Sequence, residues 1–251
     1  MEIKKAIIPA AGKGTRLEPL TLAVPKEMIR VGRKTVLHHV IDNLLAVDIK
    51  EVLIVTGWRK GAILDYVGSG ERLGIDAYYK VQDEQLGLGH AILMGKNWIG
   101  NEDFIVIYGD NYIKPDSIIK QVIDLHKKTK SYATLVLHPV QDPTRFGLVK
   151  IDKEGKVIGM IEKPDTKEAE NYKTGNEFLS ISGIVIFNPK IFEFIEKTKP
   201  GKKGEIQLTD SIEMMRNAGY SIYGYIFRGK RFDIGTWESL EEADRLAFQE
   251  K

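Results

Sequence analysis

Short runs rich in β-branched residues alternate with longer amphipathic stretches through the first half of the chain, and this alternation restricts the fold more than any other feature. AIIP (6–9), EVLIVT (51–56), AYYKV (77–81), DFIVIY (103–108) and YATLVL (132–137) read as strands. Between them Thr35–Ala46, Lys60–Val67, Gly87–Asn97 and Pro115–Thr129 read as helices. Pro115 suits a first helical position, and Ile118, Ile119, Val122, Ile123 and Leu125 give that helix an apolar face. Parallel neighbours need crossover helices, so the succession predicts an α/β fold, a Rossmann-like, mostly parallel sheet flanked by helices.

The second half is less regular. FGLVKID, GKVIGMIEKP, FLSISGIVIF and YSIYGYIF read as strands, with helices expected at Pro189–Glu196, Ile206–Asn217 and Thr236–Phe248. This pattern predicts a mixed α+β lobe. Neither a low-complexity linker nor a repeat separates the halves, so residues 1–251 read as a single domain, about 1–138 and about 139–251 being its two parts.

Composition removes several chemistries. The absence of cysteine excludes a disulfide framework, cysteine-ligated zinc, an iron–sulfur cluster and a thiol nucleophile. The five histidines form no H-E-x-x-H pair. A net charge of +2 advertises neither nucleic acid nor an anionic membrane as partner. The opening MEIKKAIIPAAGKGTR has too short an apolar core for an export signal, and a cytoplasmic location is expected.

Ligands of such sheets bind beyond the carboxyl ends of the strands. The segment after AIIP is PAAGKGTRLEPLTLAVPKEM, where Gly12 and Gly14 let the backbone approach a ligand and Thr15 and Arg16 supply donors. A dinucleotide G-x-G-x-x-G fails because its sixth position is Leu17, and the nearest Walker loop, Gly224 to Lys230, continues with Arg231 where Ser or Thr is required. Residues 1–34 hold eight basic and three acidic side chains, a local charge of +5 that suits a polyphosphate cradle. Read alone, a G-x-G is a glycine turn among solvated lysines.

The string G-x-G-T-R-L-x-P-x-T…P-K, Gly12 to Lys26, resembles the signature of sugar-1-phosphate nucleotidylyltransferases, which join a nucleoside triphosphate and a sugar 1-phosphate into a nucleotide sugar. Later segments resemble the family in order: Lys80 to His90, Gly109-Asp110-Asn111, Glu162-Lys163-Pro164, Gly204 to Asp210, and Arg231 to Thr236. The resemblance implies that Ala11, Gly12, Gly14, Thr15, Gln82 and Gly87 bind the nucleotide, and that Gly147, Glu162, Lys163 and Gly183 bind the sugar phosphate. The first half becomes the nucleotide-binding part and the second the sugar-phosphate-binding part. Arg16, Lys26 and Lys163 are implied as catalytic, and Asp110 and Asp233 as the ligands of Mg²⁺. Taken singly, Asp110-Asn111 is a turn cap and Asp233 a partner for Arg231.

Two branches of the family are represented. Pro25-Lys26-Glu27-Met28, Gly87 to Ala91 and Gly204 to Asp210 resemble uridylyltransferases, while Gly109-Asp110-Asn111 and Val67 to Gly70 resemble thymidylyltransferases. UTP is the favoured substrate, dTTP the alternative and glucose 1-phosphate the acceptor. Members commonly form dimers or tetramers. A glycosyltransferase is expected to use D-x-D, which the sequence lacks, and a non-catalytic sensor has no need of Arg16, Lys26, Asp110, Lys163 and Asp233 together.

Overall fold

The computed structural model describes residues 2–201 and 204–249, which gather into two compact units. One unit holds Lys4–Gln85, Val106–Ile119 and the chain from Gly229 onward; the other holds Leu86–Ile105 and Lys120–Arg228 with the residues before Lys4. The chain thus visits each unit more than once, and the division expected near residue 138 falls inside the strand Ala133–Val140 of the second unit.

In the first unit Lys5–Ala10 runs parallel to Glu51–Thr56, with Ile7 opposite Leu53, and Glu51–Thr56 runs parallel to Asp76–Val81. The middle strand is buried from Val52 to Thr56, as a parallel strand covered on both faces must be. Asp76–Val81 ends the sheet order, and its residues alternate between exposed and half-buried. The helix Val36–Leu45 buries Val36, Leu37, Val40, Ile41 and Leu44. Thr35 is its N-cap, with Oγ1 accepting from His38 N at 3.2 Å. The helix Lys60–Val67 has the expected bounds.

Two features of this unit lie outside the sequence pattern. Asn111–Lys114 pairs antiparallel with Lys230–Asp233, setting Asp233 opposite Asn111. Behind this pair Leu17, Val31, Val36, Tyr112, Ile234 and Ala243 form one buried cluster, to which the helix Trp237–Gln249 contributes Ala243. Pro115 is not a first helical residue. It follows directly on the paired strand, and the helix begins at Ile118, whose N–H donates to Pro115 O at 3.4 Å.

The second unit is mixed, as expected. Val157–Glu162 pairs antiparallel with Gly147–Ile151, Phe178–Phe187 pairs antiparallel with Ala133–Val140, and Ile222–Ile226 runs parallel to Ala133–Leu137. The single helix expected over 87–97 is two, Leu88–Leu93 and Lys96–Ile99. The helix expected from Ile206 begins at Leu208, because Ile206 is engaged in extended pairing: its N–H donates to Leu86 O at 2.7 Å and its carbonyl accepts from Gly89 N at 3.0 Å. His126 is fully buried, with Nε2 3.3 Å from Asp103 Oδ2 and Nδ1 2.8 Å from Thr134 Oγ1, a structural network within the core.

The fold is therefore mixed α/β, with the mostly parallel sheet and flanking helices that the alternation predicts. Among the described residues no helix is long and apolar enough to cross a membrane.

Candidate active site

The first unit brings together residues from three distant stretches at the ends of its strands. Lys26 follows the glycine-rich loop, Asp110 follows the strand Phe104–Ile107, and Asp233 closes Lys230–Asp233. Local hydrogen bonds set their positions. Gly109 N–H donates to Pro9 O at 3.1 Å, which seats the Gly109-Asp110 turn at the end of Lys5–Ala10, and Ile234 N–H donates to Asp110 O at 2.8 Å. The Lys26 ammonium is ion-paired with the Asp110 carboxylate. Gly12 lies beside the same lysine, where a Cβ would make ordinary contact at 3.7 Å from Lys26 Cε.

Arg16 reaches this cluster. A Cβ on Gly235 would stand 2.9 Å from Arg16 Nη2 and 3.0 Å from Asp233 Oδ1. Arg231 Nη2 forms an ion pair with Asp233 Oδ2 at 4.0 Å and donates to Asn111 Oδ1 at 3.2 Å, while Asp233 also shares its surroundings with Lys26 and Asp110.

The electrostatics follow from burial around closely spaced charges. Burial lifts the Asp233 carboxyl above the usual range, and the negative charge of Asp110 adds to the rise. Burial acts the same way on Asp110, but Lys26 outweighs it and holds that carboxyl low. Lys26 is lifted in turn: burial opposes its charge, and Asp110, Glu27 and Asp233 overcome that cost. Glu27, 1% exposed, is pushed up to about 7 by burial, with Lys26 opposing and Asp110 reinforcing the shift. Glu27 lies within the Pro25-Lys26-Glu27-Met28 motif but has no role assigned from the sequence, because its burial shows only in the fold.

Asp110 and Asp233 fit a hard divalent cation. Such an ion takes carboxylate oxygens and completes its shell with phosphate and water. Asp233 Oδ1 is buried without a hydrogen-bond partner, as is Glu27 Oε2, and an orphaned carboxylate oxygen calls for positive charge. No cluster of three or more candidate metal ligands occurs among the described residues, so a cation held by Asp110 and Asp233 would need further ligands from substrate or solvent.

The other expected residues of this unit are arranged around the loop. Gly14 is left-handed, and Thr15 to Leu17 form a 3₁₀ turn. The Ala11 carbonyl accepts from Gln85 Nε2 at 3.0 Å. Gln82 is buried at the end of Asp76–Val81, with its N–H donating to Thr56 O at 2.7 Å.

The second unit holds another cluster. Glu162 lies opposite Gly147 in the antiparallel pair, and its Oε1 is 2.9 Å from Lys163 Nζ. Gly147 is required by close approach: a Cβ there would stand 2.5 Å from Thr209 Oγ1 and 2.7 Å from Glu162 Oε2. Lys163 has φ +43°, a conformation uncommon for a residue with a side chain, held by its N–H donating to Phe146 O at 3.1 Å. Asp210 joins this group; burial lifts its carboxyl and Glu162 adds to the rise while Lys163 opposes it. Gly183, at φ +84°, sits where the register of Phe178–Phe187 shifts, three residues beyond the Ser180–Leu148 pairing. Gly87 also belongs to this unit, at the N-terminus of Leu88–Leu93 beside Glu205 and Ile206. Thr209 lies within the Gly204 to Asp210 segment, but the boundary it gives to the space beside Gly147 is visible only in the fold.

Comparison with known proteins places the whole chain in a family. The family model described as nucleotidyl transferase matches residues 5–250. A UTP–glucose-1-phosphate uridylyltransferase of Staphylococcus epidermidis is 36% identical over 257 residues, covering 93% of this chain and 88% of the relative. A crystal structure of UDP-glucose pyrophosphorylase complexed with UDP-glucose matches over 100% of both chains, with a TM-score of 0.87 and 31% identity. A putative glucose-1-phosphate thymidylyltransferase from Bacillus anthracis, solved with a sucrose, matches over 97% of this chain and 94% of its own, with a TM-score of 0.84 and 32% identity.

Proposed function

The chain belongs to the nucleotidyl transferase family, and from that premise we propose that it condenses UTP with glucose 1-phosphate to give UDP-glucose and pyrophosphate in a Mg²⁺-dependent reaction. The observation that carries this reading is the convergence of Lys26, Asp110 and Asp233 on one partly buried spot beside the glycine-rich loop. Such a cluster suits phosphate and metal, and Lys26, held as an ammonium by its carboxylate neighbours, is not poised as a nucleophile.

None is needed. The attacking group is an oxygen of the sugar 1-phosphate, already ionised, and it displaces pyrophosphate from the α-phosphorus. Catalysis then consists of bringing two anions into line and neutralising the charge that accumulates. In this assignment the backbone of Ala11, Gly12, Gly14 and Thr15 holds the triphosphate, Arg16 takes the departing pyrophosphate, and Lys26 takes the α-phosphate. Gln82 and Gly87 meet the base. Glu162 accepts from sugar hydroxyls, Lys163 holds the 1-phosphate, and Gly147 and Gly183 line the hexose. Asp110 and Asp233 would hold Mg²⁺, which when bound would supply Lewis-acid neutralisation of the phosphate oxygens. Lys26 is held by Asp110 in the free protein, so its ammonium is placed before substrate arrives.

UTP is preferred to dTTP on the strength of the uridylyltransferase relative and the UDP-glucose pyrophosphorylase structure. The thymidylyltransferase structure supports dTTP as a second substrate. The two bases share an imide edge and differ by one methyl, which a pocket distinguishes by roughly 1–3 kcal/mol. The test is pyrophosphate release with Mg²⁺, glucose 1-phosphate and each nucleoside triphosphate in turn. We expect UTP to exceed dTTP and both to exceed the purine nucleotides. Asp110→Ala and Lys163→Ala should fold and lose nearly all turnover, each lost contact weakening the transition state by roughly 2–4 kcal/mol. Undiminished release from either variant contradicts its assignment.

A further inference from the structure

Trp58 sits just beyond the strand Glu51–Thr56, where sequence reasoning sees nothing but a strand end. Its ring is neither core nor free surface. The indole Nε1–H donates to Thr21 O at 2.8 Å, and Thr21, 1% exposed, donates its own Oγ1–H to Gly14 O at 3.0 Å. Gly14 is the left-handed residue of the glycine-rich loop (φ +65°), and a Cβ there would stand 2.9 Å from Thr21 Cγ2. The backbone of Trp58 grips the other end of the same loop, with its N–H donating to Ala11 O at 3.4 Å. The ring also carries charge: the Arg59 guanidinium lies 5.1 Å and the Lys13 ammonium 6.0 Å from its centroid.

We propose that Trp58 is a positioning residue for the triphosphate: through Thr21 it fixes the turn at Gly14, and with its ring it keeps Lys13 and Arg59 beside the loop. This rests on the assignment of the glycine-rich loop to the nucleotide. The physical reason is preorganisation. A glycine loop has many conformations, and any that are not excluded beforehand must be frozen out when the ligand binds, at the expense of affinity. The chain of two hydrogen bonds from indole to Thr21 to Gly14 excludes them in the free protein. Because the bonds act on the loop and not on reacting atoms, their loss should weaken nucleotide binding and leave the chemical step alone.

Two variants cut the chain at different links with little change of shape: Trp58→Phe keeps an aromatic ring and removes the indole donor, and Thr21→Val removes the hydroxyl. KM for UTP, KM for glucose 1-phosphate and kcat are to be measured by pyrophosphate release, and UTP affinity without sugar phosphate by calorimetry. Each single variant should raise both the KM and the Kd for UTP roughly 2- to 10-fold, the worth of one hydrogen bond. KM for glucose 1-phosphate and kcat should stay within about two-fold of wild type. The double variant should be no more than about two-fold worse than the poorer single one, since both break the same chain.

Unchanged UTP parameters in both single variants overturn the proposal, and so does a parallel loss in kcat and both KM values, which marks a general structural effect. If the wild type releases no pyrophosphate with any substrate pair, the functional reading fails separately. Calorimetry then decides the role of Trp58: UTP bound equally by wild type and variants, or not bound by the wild type, overturns it.

Discussion

Single residues carry two distinct kinds of constraint here, charge and space. Glu27 illustrates the first. Its carboxyl, pushed up to about 7 from an ordinary 4.5, keeps its proton in the folded chain at pH values where the unfolded chain has lost it. Stability therefore falls as pH rises from about 4.5 to about 7 and is level above that, by about 3 kcal/mol from this one group. Glu27→Gln should be more stable than wild type at pH 8 by an amount of that order and equal to it at pH 4, as urea unfolding at the two values would report. Gly147 illustrates the second. A methyl there collides with Thr209 and the Glu162 carboxylate, so Gly147→Ala should raise the KM for glucose 1-phosphate severalfold and leave that for UTP unchanged in steady-state kinetics. Lys26, Asp110 and Lys163 are legible in the sequence because contiguous motifs contain them. Glu27 and Thr209 also lie inside quoted motifs, but burial and a steric boundary single them out only in the folded chain, and Trp58, outside every motif, is marked by a hydrogen bond across the fold.

At the scale of elements, the buried parallel strands are plain in the sequence because each is a run of apolar β-branched residues. Glu51–Thr56 and Lys60–Val67 have the bounds that the pattern predicts. The antiparallel pair of Asn111–Lys114 with Lys230–Asp233 is not visible, each strand being four residues long and its partner far along the chain. Yet this pair sets Asp110 and Asp233 together, through Ile234 N–H on Asp110 O and a cluster in which Ile234 is fully buried. Ile234→Ala leaves a cavity behind that pair and should lower stability by about 2–5 kcal/mol, measured by denaturant unfolding. The late start of the helix at Leu208 has a similar origin, extended pairing of Ile206 with the 86–89 segment.

Across the whole molecule, the proposed division of labour is by unit. One compact unit holds the glycine-rich loop, Lys26, Asp110 and Asp233; the other holds Gly147, Glu162, Lys163 and Asp210. The near-neutral net charge of +2 conceals a first stretch of +5, which from Lys4 onward lies in the unit proposed for the triphosphate. Membership of the family is legible from order and spacing of motifs, but the interleaving of the units is not, because it depends on which strands the chain returns to. The central claim is transfer of a nucleotidyl group to a sugar 1-phosphate, and the fate of the sugar's phosphorus tests it most directly. With glucose 1-phosphate labelled at phosphorus, unlabelled UTP and Mg²⁺, we predict that all transferred label appears in UDP-glucose and none in the pyrophosphate released. Label in pyrophosphate or in free phosphate, with no labelled UDP-glucose, would contradict the account.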